Sequence, residues 1–310
     1  MPVISKKVYA LAGPTASGKT GLSIKLAKRM NAEIISVDSA LVYKRLDIGS
    51  AKPTFQEMEG VCHHLINIIE PWLNYSVSDF LNDSNRLIQE IHARNKEVLL
   101  VGGTMMYFKA LQEGISKLPE ADGNLRETIK LQDLAYWYDF LMHKDPLTAN
   151  RLNPHDQQRI ERAVEVILLT DRPYSNIISE NAKEGGLGES LKLCALVPSD
   201  RQHLHYMIEK RFMQMLDNGF LKEVEALKNL ASMHAKLPSM RSVGYRQAWQ
   251  YLDGEYDYKE FIAKGVAATR QLAKRQLTWI RNWHQPMLAI DANQGFDQKL
   301  SQVLEFFNKV

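Results

Sequence analysis

The sequence predicts an α/β protein, a parallel sheet flanked by helices and interrupted by an all-helical insertion, and three observations predict it. Short apolar runs alternate with helical periodicity over roughly the first third of the 310 residues, as strands joined by crossover helices do. The first of these runs opens into a glycine loop and then a helix. Strand character is lost over residues 122–180, where only helical periodicity is found, and returns at Leu191.

Val8-Tyr9-Ala10-Leu11-Ala12 is the first strand. Gly13, Pro14, Thr15, Ala16, Ser17, Gly18, Lys19 and Thr20 follow, fitting Gly-x4-Gly-Lys-Thr, and Leu22, Leu26 and Met30 carry helical spacing beyond them. Strand, glycine loop and helix is the context of a P-loop. Its backbone N–H groups close around phosphate oxygens, Lys19 reaches the terminal phosphate, and the Thr20 hydroxyl offers a ligand to Mg²⁺. The sheet is therefore expected to be P-loop NTPase-like, and the ligand a polyphosphate or a diphosphate ester.

Glu33-Ile34-Ile35-Ser36-Val37 reads as the second strand and His64-Leu65-Ile66-Asn67-Ile68 as the third, followed by a helix over 77–93 and a buried strand at Val98-Leu99-Leu100-Val101. The character changes near Ile115-Ser116-Lys117-Leu118-Pro119. Residues 118–190 are expected to form the helical insertion, between core segments 1–117 and 191–310. Leu191-Lys192-Leu193-Cys194-Ala195-Leu196-Val197 resumes the sheet, and the remainder is helical except for a last strand at Met287-Leu288-Ala289-Ile290.

A hydrophobic content of 45% is enough for a sizeable core, and a net charge of +3 says little about partners. Cys62 and Cys194 are the only cysteines, which excludes a disulfide framework and a cysteine zinc site. The stretch before the first strand is too short for a signal peptide and no apolar run reaches membrane length. A cytoplasmic protein is expected.

The phosphate chemistry is narrowed by an absence. Enzymes of this loop type that split nucleoside triphosphates hold Mg²⁺ with an acid at the end of a second strand, yet Val98-Leu99-Leu100-Val101 ends in Gly102-Gly103-Thr104. This tilts the reading away from γ-phosphoryl transfer. Asp38 is the one acid directly at a strand end near the loop, and it suits either a metal ligand or a proton acceptor.

Basic residues cluster further along. Over 265–281, helical projection puts Val266, Ala273, Leu277 and Ile280 on one stripe and Arg270, Lys274, Thr278 and Arg281 on another, roughly 80° away. Cations bordering an apolar face can line a groove for an anionic backbone, with Trp279 and Trp283 near enough to stack on bases. A solvated charged face is the plainer alternative. Gln158, Arg159, Ile160, Glu161 and Arg162 form a second cluster, and Arg241, Ser242, Val243, Gly244, Tyr245 and Arg246 a third. Beside a P-loop, the three together suggest a nucleic acid as second substrate.

Taken in order, the P-loop, Ile35-Ser36-Val37-Asp38-Ser39-Ala40-Leu41-Val42-Tyr43, Asp47-Ile48-Gly49-Ser50-Ala51-Lys52-Pro53, Val101-Gly102-Gly103-Thr104, the segment from Arg241 to Arg246 and Thr269-Arg270-Gln271-Leu272-Ala273-Lys274-Arg275-Gln276 resemble the signature segments of tRNA dimethylallyltransferases. The resemblance spans essentially the whole chain. It implies transfer of a dimethylallyl group from dimethylallyl diphosphate to N6 of the adenine just 3′ of the anticodon, with Mg²⁺ as cofactor and the anticodon stem-loop of tRNA as partner. Asp38 is implied to accept the N6 proton, Thr104 to meet the adenosine or the reacting groups, and Arg211 to contact the diphosphate. Contacts with tRNA are implied for Asp38, Ser39, Ala40, Leu41, Thr104, Arg126, the segments 158–162 and 241–246, and Arg270, Lys274, Arg275, Gln276, Thr278 and Arg281. The stretch between Arg126 and Asp145 is shorter than the family pattern implies, and with no Cys/His finger after the core the chain resembles the bacterial form. A monomer is expected. Two other readings are a small-molecule kinase, which the Lys19-Thr20 pair suits, and a nucleotide-switched RNA-binding protein, in which Asp38 and Thr104 have no task.

Overall fold

The computed structural model describes residues 6–308. Strand β1 (Val8–Ala12) leads through the glycine loop into α1 (Lys19–Met30), followed by β2 (Ala32–Val37), β3 (His63–His64), α2 (Val77–Ala93), β4 (Glu97–Gly102) and α3 (Met105–Glu113). A second group comprises β5 (Ile115–Ser116), α4 (Gly123–Ile129), α5 (Leu134–Lys144), α6 (Pro146–Ala149), α7 (Gln157–Thr170), α8 (Tyr174–Glu180) and β6 (Lys183–Glu184). The chain ends with β7 (Leu191–Val197), α9 (Arg201–Asp217), α10 (Phe220–Lys228), α11 (Tyr245–Leu252), α12 (Tyr258–Arg281), β8 (Met287–Asp291) and α13 (Phe296–Asn308).

Among the described residues, 6–112 and 187–308 make one compact unit and 113–186 another. In the first, six strands form a sheet in the order β3-β2-β4-β1-β7-β8, every neighbouring pair parallel. Parallel strands covered on both faces need apolar side chains throughout, and β1, β4 and β7 are almost wholly buried. One face packs Leu22 and Leu26 of α1 and Val303 and Phe307 of α13 against Leu11, Leu99 and Leu196. A separate helical cluster gathers Ile208, Phe212, Phe220, Tyr245 and Phe261. The second unit folds around Trp137, Leu141, Ile160 and Val164, with the Trp137 indole N–H donating to the Ile129 carbonyl at 2.7 Å.

Two expectations are corrected. Of the run from His64 to Ile68 only His64 pairs with the sheet, together with His63 just before it. Leu65 and Asn67 take left-handed backbone at φ 58, so the apolar run turns out of register, and the amides of Ile68 and Ile69 instead donate to the Val42 carbonyl. The inserted unit is not all helix. Ile115–Ser116 and Lys183–Glu184 pair antiparallel at its two chain ends, two-residue strands too short to leave a periodic signal, and its bounds fall at 113 and 186 where 118 and 190 were expected.

On β2, beside the edge strand, Glu33 is buried and accepts hydrogen bonds from Arg94 at 2.7 Å and His64 at 2.6 Å, with Lys96 at 3.2 Å. Burial alone would push this carboxyl up; the three partners instead hold it at about 2. Cys62 lies in the same cluster, but two permanent cations already neutralise the carboxylate, a poor setting for a metal ion.

Candidate active site

In parallel sheets, side chains that serve ligands gather where the strands end at their carboxyl edge. Here β2 delivers Asp38, β4 delivers Thr104 and β1 delivers the glycine loop, on three adjacent strands with Val37 opposite Gly102 and Ala12 opposite Gly102. Helix α9, which follows β7 on the other side of β1, supplies Arg211. Lys19, Thr20, Asp38, Thr104 and Arg211 all line one cavity of about 520 Å³.

The loop is preset for an anion. Gly18 is left-handed at φ 82, as is Ala16 at φ 61, a conformation that costs a residue with a side chain about 1 kcal/mol or more. The Lys19 ammonium donates to the Gly13 and Pro14 carbonyls at 2.8 and 2.7 Å. Burial, and then the neighbouring Arg211, lower its pKa to about 7, with Asp38 pulling the other way. Burial lowers Arg211 as well. Two cations are thus held together, with Asp38 facing both and Glu57 acting on Arg211, an arrangement that favours a multiply charged anion.

Asp38 accepts from the Ala40 amide through Oδ1 at 2.8 Å, a tight turn that fixes the carboxylate. The Thr104 hydroxyl oxygen accepts from the Ser39 amide at 3.2 Å, and the Thr104 amide donates to the Val37 carbonyl at 3.2 Å. The ends of β2 and β4 are thereby laced together. For a divalent metal the cavity offers oxygen donors: the Thr20 hydroxyl, the Asp38 carboxylate and Ser36, whose buried Oγ has no hydrogen-bond partner. This donor set fits Mg²⁺.

Much of the cavity wall is apolar, and residue patterns alone did not assign it to a site. Ile208, Phe212 and Met215 of α9 fall at the spacing of an ordinary helical core stripe, yet they line the cavity with Met105, Phe220, Leu272 and Trp279. Glu223 was missed as well. Its carboxylate accepts from the amides of Asp47, Ile48 and Gly49 at 2.9, 2.7 and 3.1 Å and from the Tyr245 hydroxyl at 2.5 Å. It shapes the turn that brings Gly49, Ser50 and Ala51 to the cavity. The run of an acidic, a β-branched and a glycine residue at 47–49 was the only trace of this in the sequence.

The candidate RNA-contacting residues divide. Ser39, Ala40, Leu41, Arg241, Ser242, Val243 and Gly244 line the cavity, as do Arg275 and Gln276. Tyr245 reaches it but is otherwise fully buried on Glu223, and Arg246 is exposed. Along α12 the cavity face carries Thr269, Leu272, Arg275, Gln276 and Trp279. At about 100° per residue, Arg270, Lys274, Thr278 and Arg281 lie across the apolar stripe from it, on nearly the opposite side. Arg270 is paired with Glu209 at 2.8 Å, and the Thr278 hydroxyl donates to the Lys274 carbonyl. Within the second unit, Arg126 and Arg162 both hold the buried Glu165, at 2.8 and 2.5 Å. Gln158 and Arg159 are exposed, Glu161 accepts from Gln157, and Ile160 is core, with no surface to offer.

The family model for IPP transferase matches residues 41–283. The chain belongs to the IPP transferase family. Its relatives match it along nearly its whole length. It is 56% identical over 308 residues to the tRNA dimethylallyltransferase of Francisella tularensis subsp. novicida, covering 98% of this chain and 99% of the relative. It is 54% identical over 310 residues to that of Francisella philomiragia, with the same coverage. Among solved structures, the tRNA isopentenylpyrophosphate transferase of Bacillus halodurans is 35% identical with a TM-score of 0.72, covering 98% of this chain and 96% of that one. A eukaryotic dimethylallyltransferase acting on tRNA superposes with a TM-score of 0.83 at 27% identity, covering 96% and 77%. Among the described residues no helix is long and apolar enough to cross a membrane.

Proposed function

We propose that the protein transfers a dimethylallyl group from dimethylallyl diphosphate to N6 of the adenine immediately 3′ of the anticodon in tRNA, giving N6-dimethylallyladenosine and pyrophosphate. One observation carries this reading: a single cavity joins an anion cradle, an apolar wall, and the Asp38 and Thr104 side chains at neighbouring strand ends. The family membership and the names of the relatives support the same chemistry.

The diphosphate lies on the amides of the 13–20 loop. Lys19 leaves the Gly13 and Pro14 carbonyls for its oxygens, and Arg211 meets it from α9. As the carbon–oxygen bond breaks, negative charge grows on the leaving diphosphate, where these fixed cations stabilise it. Mg²⁺ held at Thr20 and its neighbouring oxygen donors would add charge stabilisation to the same leaving group. Phe212, Phe220, Met105 and Leu272 keep water from the allyl fragment. The adenine N6 forms the new bond to carbon, and its proton passes to Asp38, whose carboxylate is fixed by the Ala40 amide. Thr104 already accepts from Ser39 through its oxygen, so its hydroxyl proton is available to the incoming groups.

The adenine has to leave the anticodon loop to reach the cavity. Arg241, Arg246, Arg275, Lys274 and Arg281, with Gln158 and Arg159 on the second unit, are the side chains assigned to the RNA backbone. The test is nucleoside analysis of unmodified tRNA incubated with the protein, Mg²⁺ and dimethylallyl diphosphate. N6-dimethylallyladenosine is expected; adenosine left intact while ATP is consumed would favour the kinase reading instead.

A further inference from the structure

Gln276 sits on α12 between the basic residues Arg275 and Arg281, and its place in the sequence suggests an RNA contact. Its side chain is engaged otherwise. The amide oxygen accepts from the Thr15 backbone N–H at 2.9 Å, and the amide nitrogen donates to the Gly103 carbonyl at 3.0 Å. A donor faces one end and an acceptor the other, so the orientation of the amide is fixed chemically.

These two bonds join elements that the sheet leaves unconnected at their tips. Thr15 belongs to the anion cradle after β1; Gly103 belongs to the turn after β4, one residue before Thr104. The two strands are neighbours, and beyond their ends Gln276 ties the two loops together from a third element. From Gly103 the chain of contacts continues through Thr104 to the Ser39 amide, beside Asp38. Residue 103 has to be glycine for this seat to exist, since a Cβ there would lie 2.3 Å from the Gln276 amide nitrogen.

We propose that Gln276 is a positioning residue, which sets the diphosphate cradle in register with Thr104 and Asp38 and contributes nothing to RNA affinity. This rests on the prenyl-transfer reading given above. Misplacing reacting groups by about 1 Å can cost a hundredfold in rate, and the loss of one or two hydrogen bonds weakens a preset anion site by about three- to tenfold.

The test compares the full-length protein with Gln276→Met, which keeps the side chain's length and loses both bonds, and with Gly103→Ala, which displaces the amide. Expected for each are pyrophosphate binding weakened about three- to tenfold, single-turnover prenylation slowed about 10- to 100-fold, and tRNA affinity within about twofold of wild type, below the effect of one lost hydrogen bond. The double variant should be scarcely worse than either single one, because both break the same seat. Should Gln276→Met fail to fold, Gln276→Glu keeps the acceptor for Thr15 but sets a carboxylate against the Gly103 carbonyl, and the same losses are expected. Weakened tRNA binding with rate and pyrophosphate affinity intact would overturn the proposal in favour of an RNA contact. Unchanged values throughout, or fully additive losses in the double variant, would overturn it too. If wild type binds pyrophosphate but prenylates nothing, the functional reading fails, and pyrophosphate affinity alone still decides on the seat.

Discussion

Replacing Lys19 by Met should reveal a proton uptake coupled to diphosphate binding. In the empty protein the Lys19 ammonium, ordinarily near 10.5, titrates at about 7, because it is buried and faces Arg211. Only the charged form should grip a diphosphate, so affinity should follow the charged fraction, about one half at pH 7 and about one hundredth at pH 9. Pyrophosphate binding to wild type should therefore weaken about 50-fold over that span, close to 1.4 kcal/mol per pH unit at its steepest. Pyrophosphate loses its own last proton within this span, so the lysine's share is the difference between wild type and Lys19→Met. Titration calorimetry in buffers of different ionisation enthalpy, at constant Mg²⁺, should show about half a proton taken up at pH 7 and about one at pH 9. Lys19→Met should bind weakly and without the lysine's share of the proton uptake. The same shift acts on folding: between pH 7 and 10.5 the folded chain binds fewer protons than the unfolded one, so wild-type stability should rise with pH. Lys19→Met should accordingly be the more stable protein at pH 6 and lose that advantage toward pH 10. An affinity that changes less than about threefold from pH 7 to 9, without proton uptake, would refute this account of the loop.

Asp38→Asn should leave pyrophosphate binding nearly intact and cut single-turnover prenylation by about two to four orders of magnitude; near-normal rates would take the carboxylate out of the mechanism. Lys274→Gln and Arg281→Gln should each weaken binding of every tRNA alike and flatten the salt dependence by about 0.7–0.9 of a unit. Arg270→Gln should have the smaller effect, since this guanidinium is already neutralised by Glu209; filter binding over a salt series checks all three. Glu33→Gln should lower stability at neutral pH by about 1–3 kcal/mol, allowing for the half-exposed Arg94. Because the folded Glu33 pKa lies at about 2 against an ordinary 4.5, that contribution is present above pH 4.5 and lost as pH falls toward 2. Denaturant melts of both proteins should therefore converge in acid, and a gap that persists at pH 2 would count against the ion cluster.

The strands β1, β4 and β7, the glycine loop and helices α1 and α2 were legible in the sequence, because each is dictated by local periodicity or by a contiguous motif. So was the chemistry that Lys19, Thr20 and Asp38 offer, since their residue types and their places at strand ends carry it. Tertiary structure alone decided what those groups face. The sheet order sets β2, β4 and β1 side by side, and this brings Asp38, Thr104 and the loop together across nearly a hundred residues of chain. Pairing also ended the third strand after His64, where the following turn draws on the Val42 carbonyl in place of a sheet partner. Periodicity gave α12 an apolar stripe but could not tell which flank of it turns to the cavity. Packing against α9 and α11 decided that in favour of Thr269, Leu272, Gln276 and Trp279, leaving the basic stripe on the far side. Local sequence fixes which atoms a residue presents; only long-range packing fixes which partners satisfy them, as with Glu223 on the 47–49 amides and Gln276 between Thr15 and Gly103.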